Sequence, residues 1–378
     1  MSIDLKTKLA SRPESVASVE LLPSLHAAAH TGGYAWWYTE IHDASQERFG
    51  LTLIMFAGSV FSPAYAAQLR HGTPLRGLDV PAINLVLHES TGQGRARKVS
   101  QRAWVMNEYP ASALRTEDRA IHIAQSSLEY LGDGSIRIFI DEDTTRFFGR
   151  PGPKVRGHLR VRPSLPVGKP LLLAENPRGE AHFWQPIAAC APAEVDLQVG
   201  EVPLRYEGTA YCDRNFGEGR LEDSFRRWCW AHGFSGGDVS PAIATPSDSA
   251  VIVYDTTGCS GDRQRIALHY PGGGQAPALQ LSHSRAETPL PGDLPPDGKE
   301  FLWLKVPRSF VAGDFRCERL PRGNLLDSPF YARFRSQIQH STQPDLRFTG
   351  VGEYLDLERF SRPALQHLLR YKTRQVVP

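Results

Sequence analysis

The chain of 378 residues is long enough for two domains, and its 41% of apolar residues can supply a sizeable core. A formal net charge of +2 excludes the strongly basic surface typical of proteins that bind nucleic acids. The five cysteines form no CxxC pair, which favours a reduced, cytoplasmic protein. The N-terminal sequence MSIDLKTKLASRPE lacks the apolar segment of a signal peptide, and no apolar run reaches the ~20 residues of a membrane span.

Frequent glycine (33) and proline (29) divide the chain into short segments rich in aromatic and β-branched residues, a pattern that predicts strands. In the first half, strands are predicted at residues 34–43, 50–63, 82–88, 119–125, 127–131, 135–141 and 155–161. Residues 99–106, and part of 111–115, do not fit this pattern. In the second half, strands are predicted at residues 194–199, 204–211, 224–232, 250–255, 264–269 and 300–306. Residues 362–374 predict a terminal helix with Leu365, Leu368 and Leu369 on one face.

Short strands without βαβ alternation predict an all-β protein made of barrels or sandwiches. A proline-rich stretch in the middle of the chain separates two such units, which we expect at residues 1–190 and 191–378. The expected architecture is therefore two tandem lipocalin-like β-barrel or β-sandwich domains with a short C-terminal helix. A barrel of this type encloses a pocket suited to one elongated apolar ligand.

The usual cofactor motifs are not found in the sequence. It contains no GxGxxG between a strand and a helix, no GxxxxGK[ST], no GxSxG and no HExxH. The thirteen histidines show no closely spaced pair with metal-ligand spacing. We therefore expect neither a bound nucleotide nor an essential metal, and no other cofactor.

Four segments, in this order along the chain, resemble the signature blocks of the carotenoid 1,2-hydratase (hydroxyneurosporene synthase) family. They are GLTLIMFAGSVFSPAY (residues 50–65), GTAYCDRNFG (208–217), RLEDSFRRWCWAHGF (220–234) and the pair LDSPFY with TGVGEYLDLERF (326–331 and 349–360). The resemblance implies a cofactor-independent hydro-lyase that adds water across the C1–C2 double bond of the ψ end group of an acyclic carotenoid. The implied partner is thus an apolar polyene, and no nucleic acid.

Hydration of an alkene requires an acid that protonates one carbon and a pocket that tolerates the resulting tertiary cation. By the resemblance Asp213 is the proton donor; read locally, the same residue could simply end a strand in an Asx turn. A carboxyl group buried in an apolar pocket stays protonated near neutral pH, as this role demands.

The remaining candidates lie near Asp213 in the motifs. By the resemblance, His182 and Trp184 help to bind the substrate end and assist the acid. We expect Tyr211 to assist the acid as well, and the aromatic faces of Trp184 and Phe216 to stabilise the cation. Strand alternation puts His182 and Trp184 on one face of their strand, and Tyr211 and Asp213 on one face of theirs. The predicted substrate-binding residues are Trp184, Phe216, Asn215, Trp228 and Trp230. Trp184 could instead be an interdomain tryptophan, His182 a core histidine, and Trp228 and Trp230 core residues.

Three positions depart from the family pattern, namely Cys212, Arg214 and Phe216. An ion pair with Arg214 would keep Asp213 ionised and weaken it as an acid, although alternation places the two side chains on opposite faces. Two other functions therefore stay open: a lipocalin-like cyclase or isomerase of a polyene or terpenoid, and a non-catalytic carrier of an apolar ligand. The basic residues around the terminal leucines fit either a helix packed on the barrel or peripheral contact of a cytoplasmic protein with the inner membrane.

Overall fold

The computed structural model describes residues 16, 19–44, 48–92, 98–235, 249–273, 275–285 and 301–376. Within them the chain forms two large sheets of mainly antiparallel strands, which confirms the all-β class and the lipocalin-like architecture. The short helices are α1 (Leu22–Ala28), α2 (Pro63–Arg70), α3 (Leu221–Ser224), α4 (Leu357–Phe360) and α5 (Pro363–Leu369). None of the described helices is long and apolar enough to cross a membrane.

The first sheet has thirteen strands. They are β1 (Tyr34–Asp43), β2 (Phe49–Ala57), β3 (Ala82–Thr91), β4 (Lys98–Glu108), β5 (Leu114–Glu117), β6 (Ala120–Ile123), β7 (Ser126–Tyr130), β8 (Ile136–Thr145), β9 (Pro151–Val161), β10 (Leu171–Glu175), β11 (Ala181–Val199), β12 (Val202–Gly217) and β21 (Arg374–Gln375). The strand order is β21-β4-β3-β2-β1-β12-β11-β9-β8-β7-β6-β5, with β10 paired to β11. The long β11–β12 hairpin lies beside β1, so residues about 180 positions apart in the chain become neighbours.

The second sheet has eight strands and closes nearly into a barrel. They are β13 (Phe225–Phe234), β14 (Ala250–Gly258), β15 (Asp262–Tyr270), β16 (Ala278–Arg285), β17 (Ser309–Ala312), β18 (Phe315–Asp327), β19 (Tyr331–His340) and β20 (Arg347–Asp356), in the order β16-β15-β14-β13-β20-β19-β18-β17. The chain passes from the first sheet to the second between Gly217 and Phe225. A division into two domains near residue 190 stays a prediction.

Two local predictions are wrong. Residues 99–106 are not an exception, because they lie in strand β4, where Ala103 and Val105 point into the core of the first sheet. The strand expected at 300–306 is not formed by the described residues 301–306: the buried Phe301, Leu304 and Val306 fill the second sheet from an irregular segment, and the strand begins at Ser309. In both cases the pairing with neighbouring strands, which local sequence does not reveal, decides whether a segment becomes a strand.

The terminal helix is shorter than predicted. Helix α5 ends at Leu369, a 3-10 turn follows over Arg370–Lys372, and β21 then pairs in parallel with the end of β4. Leu365 and Leu369 are half-buried, and Leu369 packs against the core. The leucine face of the helix is therefore largely covered by the protein.

Candidate active site

A layer of buried aromatic side chains joins the outer faces of the two sheets. Each sheet also has its own apolar interior, separate from this layer. We call it the intersheet layer; its large aromatic members include Tyr34, Tyr38, Trp184, Tyr211, Trp228, Trp230 and Tyr254. The predicted site residues other than Phe216 thus meet between the two sheets, in a region that water enters poorly.

Asp213 lies in the middle of this layer and is almost fully buried. Its strand, β12, is flanked on both sides by β1 and β11, which fixes the direction of each side chain. Oδ2 of Asp213 accepts hydrogen bonds from the Tyr211 hydroxyl at 2.7 Å and from Trp184 Nε1 at 2.9 Å. Oδ1 accepts only a longer bond, from Asn215 Nδ2 at 3.3 Å. The structure therefore brings Asp213, Tyr211, Trp184 and Asn215 together, with one carboxyl oxygen much better satisfied than the other.

Burial raises the pKa of Asp213 to about 7, although the hydrogen bonds from Tyr211 and Trp184 act in the opposite direction. The negative charges of Glu353 and Glu40 add to the increase in this pKa. Removal of water destabilises a carboxylate more than two neutral donors can compensate. Near neutral pH, a large fraction of this carboxyl group is consequently protonated.

His182 belongs to the same hydrogen-bonded group. It lies fully buried on β11, with Nε2 3.3 Å from Asn215 Oδ1 and Nδ1 2.5 Å from the Tyr34 hydroxyl. Since the Asn215 amide donates to Asp213, its oxygen accepts from Nε2–H of the histidine, and Nδ1 accepts from Tyr34. Burial lowers the pKa of His182 to about 3, so the ring is neutral. A continuous chain of hydrogen bonds thus leads from Tyr34 to Asp213.

Aromatic rings surround this histidine. The ring centroids of Phe225, Trp228 and Trp36 lie 5.0, 5.4 and 5.9 Å from that of His182. Trp230 lies on the other side of the acid, with its ring 5.3 Å from Tyr211. The predicted substrate-binding tryptophans of β13 therefore both belong to the site, and Trp36 and Phe225 are additional members.

Phe216 is not part of this group. It faces the interior of the first sheet, where its ring stacks on Phe183 with centroids 5.3 Å apart. Cys212 faces the same interior, and Arg214 also points away from Asp213, with Nε donating to Gln185 Oε1 at 2.7 Å. The reason is strand alternation, since positions 212, 214 and 216 lie on the opposite face from 213. Arg214 thus forms no ion pair with the acid, and the place of Phe216 in the site is withdrawn.

A second polar group borders the site, and the sequence analysis did not identify it. Glu40 accepts hydrogen bonds from the Tyr38 hydroxyl at 2.5 Å and from His232 Nε2 at 3.1 Å, and lies 3.0 Å from His42 Nε2. Burial opposes ionisation of Glu40, but the two histidines and the nearby Arg333 outweigh it and hold its pKa well below the usual value. The ring of His232 stacks on Tyr211 at 4.4 Å, which connects this group to the acid. The available signal was a glutamate on the buried face of the strand YAWWYTEIHD.

Among the described residues, Glu40, His42 and His232 place possible metal ligand atoms within 4.8 Å of one another. Two histidines and a carboxylate are a common zinc ligand set. Here, however, these atoms bind each other, Tyr38 donates to the same carboxylate, and the positive charge of Arg333 lies nearby. The carboxylate of Glu40 therefore already has partners within the protein, whereas Nε2 of His42 and Nδ1 of His232 have no hydrogen-bond partner among the described residues.

A groove of about 410 Å³ opens at one end of the intersheet layer. Strand β10 forms one wall, and the outer faces of β14, β15 and β16 form the other. Its apolar walls include Leu172 and Leu281, both substantially exposed, and its floor includes Ile266. Leu171, which also lines the groove, pairs directly with Trp184 on β11. One lining residue of the groove is therefore a strand neighbour of Trp184, the hydrogen-bonding partner of Asp213, although Trp184 itself does not line the groove.

Comparison with known proteins gives one family match and two relatives that cover most of the chain. The family model "Carotenoid hydratase CrtC" matches residues 53–376. The chain is 31% identical over 349 residues to the acyclic carotenoid 1,2-hydratase of Thiocapsa roseopersicina, covering 91% of this chain and 74% of that protein. It is 30% identical over 308 residues to the enzyme of the same name from Rubrivivax gelatinosus, covering 80% and 64% of the two chains.

The fold also resembles a solved structure. A crystal structure of an AttH-type protein from Nitrosomonas europaea superposes with a TM-score of 0.51 at 14% identity, covering 86% of this chain and 92% of that one. This similarity concerns the fold alone. The family match over most of the chain and the two relatives decide the assignment, and the chain belongs to the carotenoid hydratase CrtC family.

Proposed function

We propose that the protein hydrates the C1–C2 double bond of the ψ end group of an acyclic carotenoid of the lycopene or neurosporene type, giving a tertiary alcohol. The observation that carries the proposal is the carboxyl group of Asp213, which lies buried in a layer of aromatic side chains that raises its pKa to about 7. An isolated alkene is a very weak base, so its protonation needs a neutral acid in a site with little water. The names of the two hydratase relatives support the substrate class.

The hydrogen-bond pattern indicates which oxygen delivers the proton. Two donors stabilise negative charge on Oδ2 of Asp213, so the proton resides on Oδ1. Oδ1 points toward Asn215, and through it toward His182. We expect the C2 carbon of the substrate to approach from this side.

Protonation at C2 leaves a tertiary cation at C1. Aromatic faces attract cations through their quadrupole, and tryptophan does so most strongly. Trp228 and Trp36 lie beside His182, which is connected through Asn215 to the oxygen that carries the proton. In our proposal they stabilise the cation, with Trp184 fixing the acid.

Water then adds to C1 and loses a proton. His182 has a pKa of about 3 and both of its nitrogens are engaged, whereas the newly formed Asp213 carboxylate has a pKa of about 7. The proton therefore ends on Asp213, which resets the acid, and His182 with Asn215 positions the water. Hydrogen and hydroxyl both come from water, so the reaction needs no redox change and no cofactor.

The rest of a long polyene must lie along an apolar surface. We propose that the groove between β10 and the second sheet holds the polyene, since its lining residue Leu171 pairs with Trp184. A volume of about 410 Å³ is within the usual range of small-molecule pockets. It accommodates part of a long substrate and leaves the remainder outside.

Peripheral membrane contact from the cytoplasm remains part of the proposal, because an apolar polyene dissolves in the bilayer. The terminal helix is a poor candidate for this contact, since only Leu368 of its three leucines is exposed, at 38%. Deletion of residues 362–378 would also remove β21 from the first sheet. Point substitutions are therefore the suitable test.

The reaction can be tested with purified protein and lycopene or neurosporene in liposomes, under anaerobic conditions in water labelled with heavy oxygen. A hydratase gives a monohydroxy product that carries the label. A cyclase or isomerase gives a product of unchanged mass, and a carrier returns the polyene unchanged; either result would reject the proposal.

A further inference from the structure

Two adjacent phenylalanines project into solvent at the tip of the β8–β9 hairpin. Phe147 is 66% exposed and Phe148 is 70% exposed, in a 3-10 turn over Phe147–Gly149 that we call the Phe turn. Hairpin tips of globular proteins normally carry polar or small residues. Two exposed phenylalanines in sequence therefore need an explanation.

The backbone holds both rings outward. Phe148 adopts left-handed dihedral angles (φ 62°, ψ 30°), which are strained for a bulky side chain. Gly149 follows at φ 68°, and a Cβ at this position would lie 2.8 Å from the carbonyl oxygen of Thr373. The turn is thus packed tightly against the C-terminal segment, where Phe148 contacts the half-exposed Tyr371 with ring centroids 5.2 Å apart. The structure maintains this exposure at a conformational cost.

Positive charge surrounds the Phe turn. We call the four exposed cations the basic rim: Arg146, Arg150, Arg370 and Lys372. Among the described residues, no carboxylate forms a salt bridge with any of them; the nearby Asp143 is paired with Arg374 at 2.8 Å. Since the whole chain carries a net charge of only +2, this concentration of cations is local.

We propose that the Phe turn and the basic rim bind the surface of an anionic lipid bilayer. Aromatic side chains partition into the interfacial region of a membrane, and neighbouring cations are attracted to anionic headgroups. The Phe turn supplies the aromatic side chains on a rigid backbone, and the basic rim supplies the cations around them. This inference does not rest on the hydration reaction, because it uses only the exposed surface.

The full-length protein can be tested by flotation with vesicles of phosphatidylcholine mixed with phosphatidylglycerol, and with vesicles of phosphatidylcholine alone. We expect the Phe147→Ser, Phe148→Ser double variant to lower the partition coefficient on the mixed vesicles by at least ~10-fold. We expect the Arg146→Gln, Arg150→Gln double variant to lose most of the preference for phosphatidylglycerol. A matched control changes Leu302 and Trp303, which are 83% and 46% exposed elsewhere on the surface, to serine.

The control should bind the vesicles as the wild type does, and all variants should keep the wild-type circular dichroism spectrum. Three results would overturn the inference: no binding of the wild type to mixed vesicles, undiminished binding of the phenylalanine variant, or an equal loss in the control. Binding to single-stranded RNA without binding to vesicles would assign the surface to a nucleic acid instead. A phenylalanine variant with lost vesicle binding but normal hydration of dispersed substrate would separate this surface from the reaction.

Discussion

Replacement of the acid by asparagine should change how stability depends on pH. In the folded protein the pKa of Asp213 is about 7, against an ordinary value of 3.8. The folded state therefore binds the proton more tightly than the unfolded state, and stability is lost as the pH rises between these two values. At about 1.4 kcal/mol per unit, the buried carboxylate costs about 4 kcal/mol above pH ~7.

Asparagine has nearly the same shape and carries no charge, so the Asp213→Asn protein lacks this penalty. The difference in free energy of unfolding between variant and wild type should therefore move in favour of the variant by about 3–4 kcal/mol between pH ~4 and pH ~8. Urea unfolding of both proteins at several pH values measures it. Any constant effect of the substitution on hydrogen bonding cancels in this comparison.

A control is available in Asp345→Asn, which changes an exposed carboxylate. This variant measures the effect of removing a carboxylate outside the site. If the difference between the Asp213 variant and the wild type depended on pH no more than this control does, the argument for a neutral acid would fail.

Three other variants test separate parts of the site. Tyr211→Phe removes a donor to the carboxylate and keeps the ring, so the alkaline limb of kcat/KM should move up by about one pH unit; a downward shift would reverse the assigned role. Gly217→Ala places a Cβ 2.7 Å from the Tyr34 hydroxyl and should displace this hydroxyl from His182, which lowers kcat by ~10-fold. The control Gly132→Ala, with open space around it, should have no effect. Equal kcat values for the two variants would contradict a positioning role for the hydrogen bonds that lead from Tyr34 to Asp213. Leu281→Trp fills the groove, so it should raise KM for a full-length carotenoid but not for a short isoprenoid with the same end group. An equal effect on both substrates would exclude the groove as the binding site of the polyene.

The local part of the site could be predicted from the sequence because strands alternate with a period of two. Alternation places Tyr211 and Asp213 on one face of β12, and His182 and Trp184 on one face of β11, and these four side chains meet in the structure. The same rule excludes Phe216, three positions from Asp213. Phe216 was predicted as a site residue because it is close to Asp213 in the motif, although strand alternation places the two side chains on opposite faces.

The distant part of the site depends on strand pairing, which a single sequence does not reveal. Tyr34 pairs with Gly217, and Tyr38 with Asp213, because β1 lies beside β12. Only this register brings the Tyr34 hydroxyl to His182 and Glu40 into the layer near Tyr211. The position of the site between the two sheets could not be predicted for the same reason. The pattern of each strand indicates that one face is buried, but not which part of the protein covers it.

The most direct test of the account is product formation by Asp213→Asn in water labelled with heavy oxygen. The wild type and the variant are compared in a single turnover with the same polyene, and the folded state of each is verified by circular dichroism. The account predicts a labelled tertiary alcohol from the wild type and, because asparagine cannot supply the proton, at least a ~1000-fold slower reaction in the variant. Labelled alcohol formed by the variant at a rate close to that of the wild type would show that another group protonates the alkene, and would contradict the central claim.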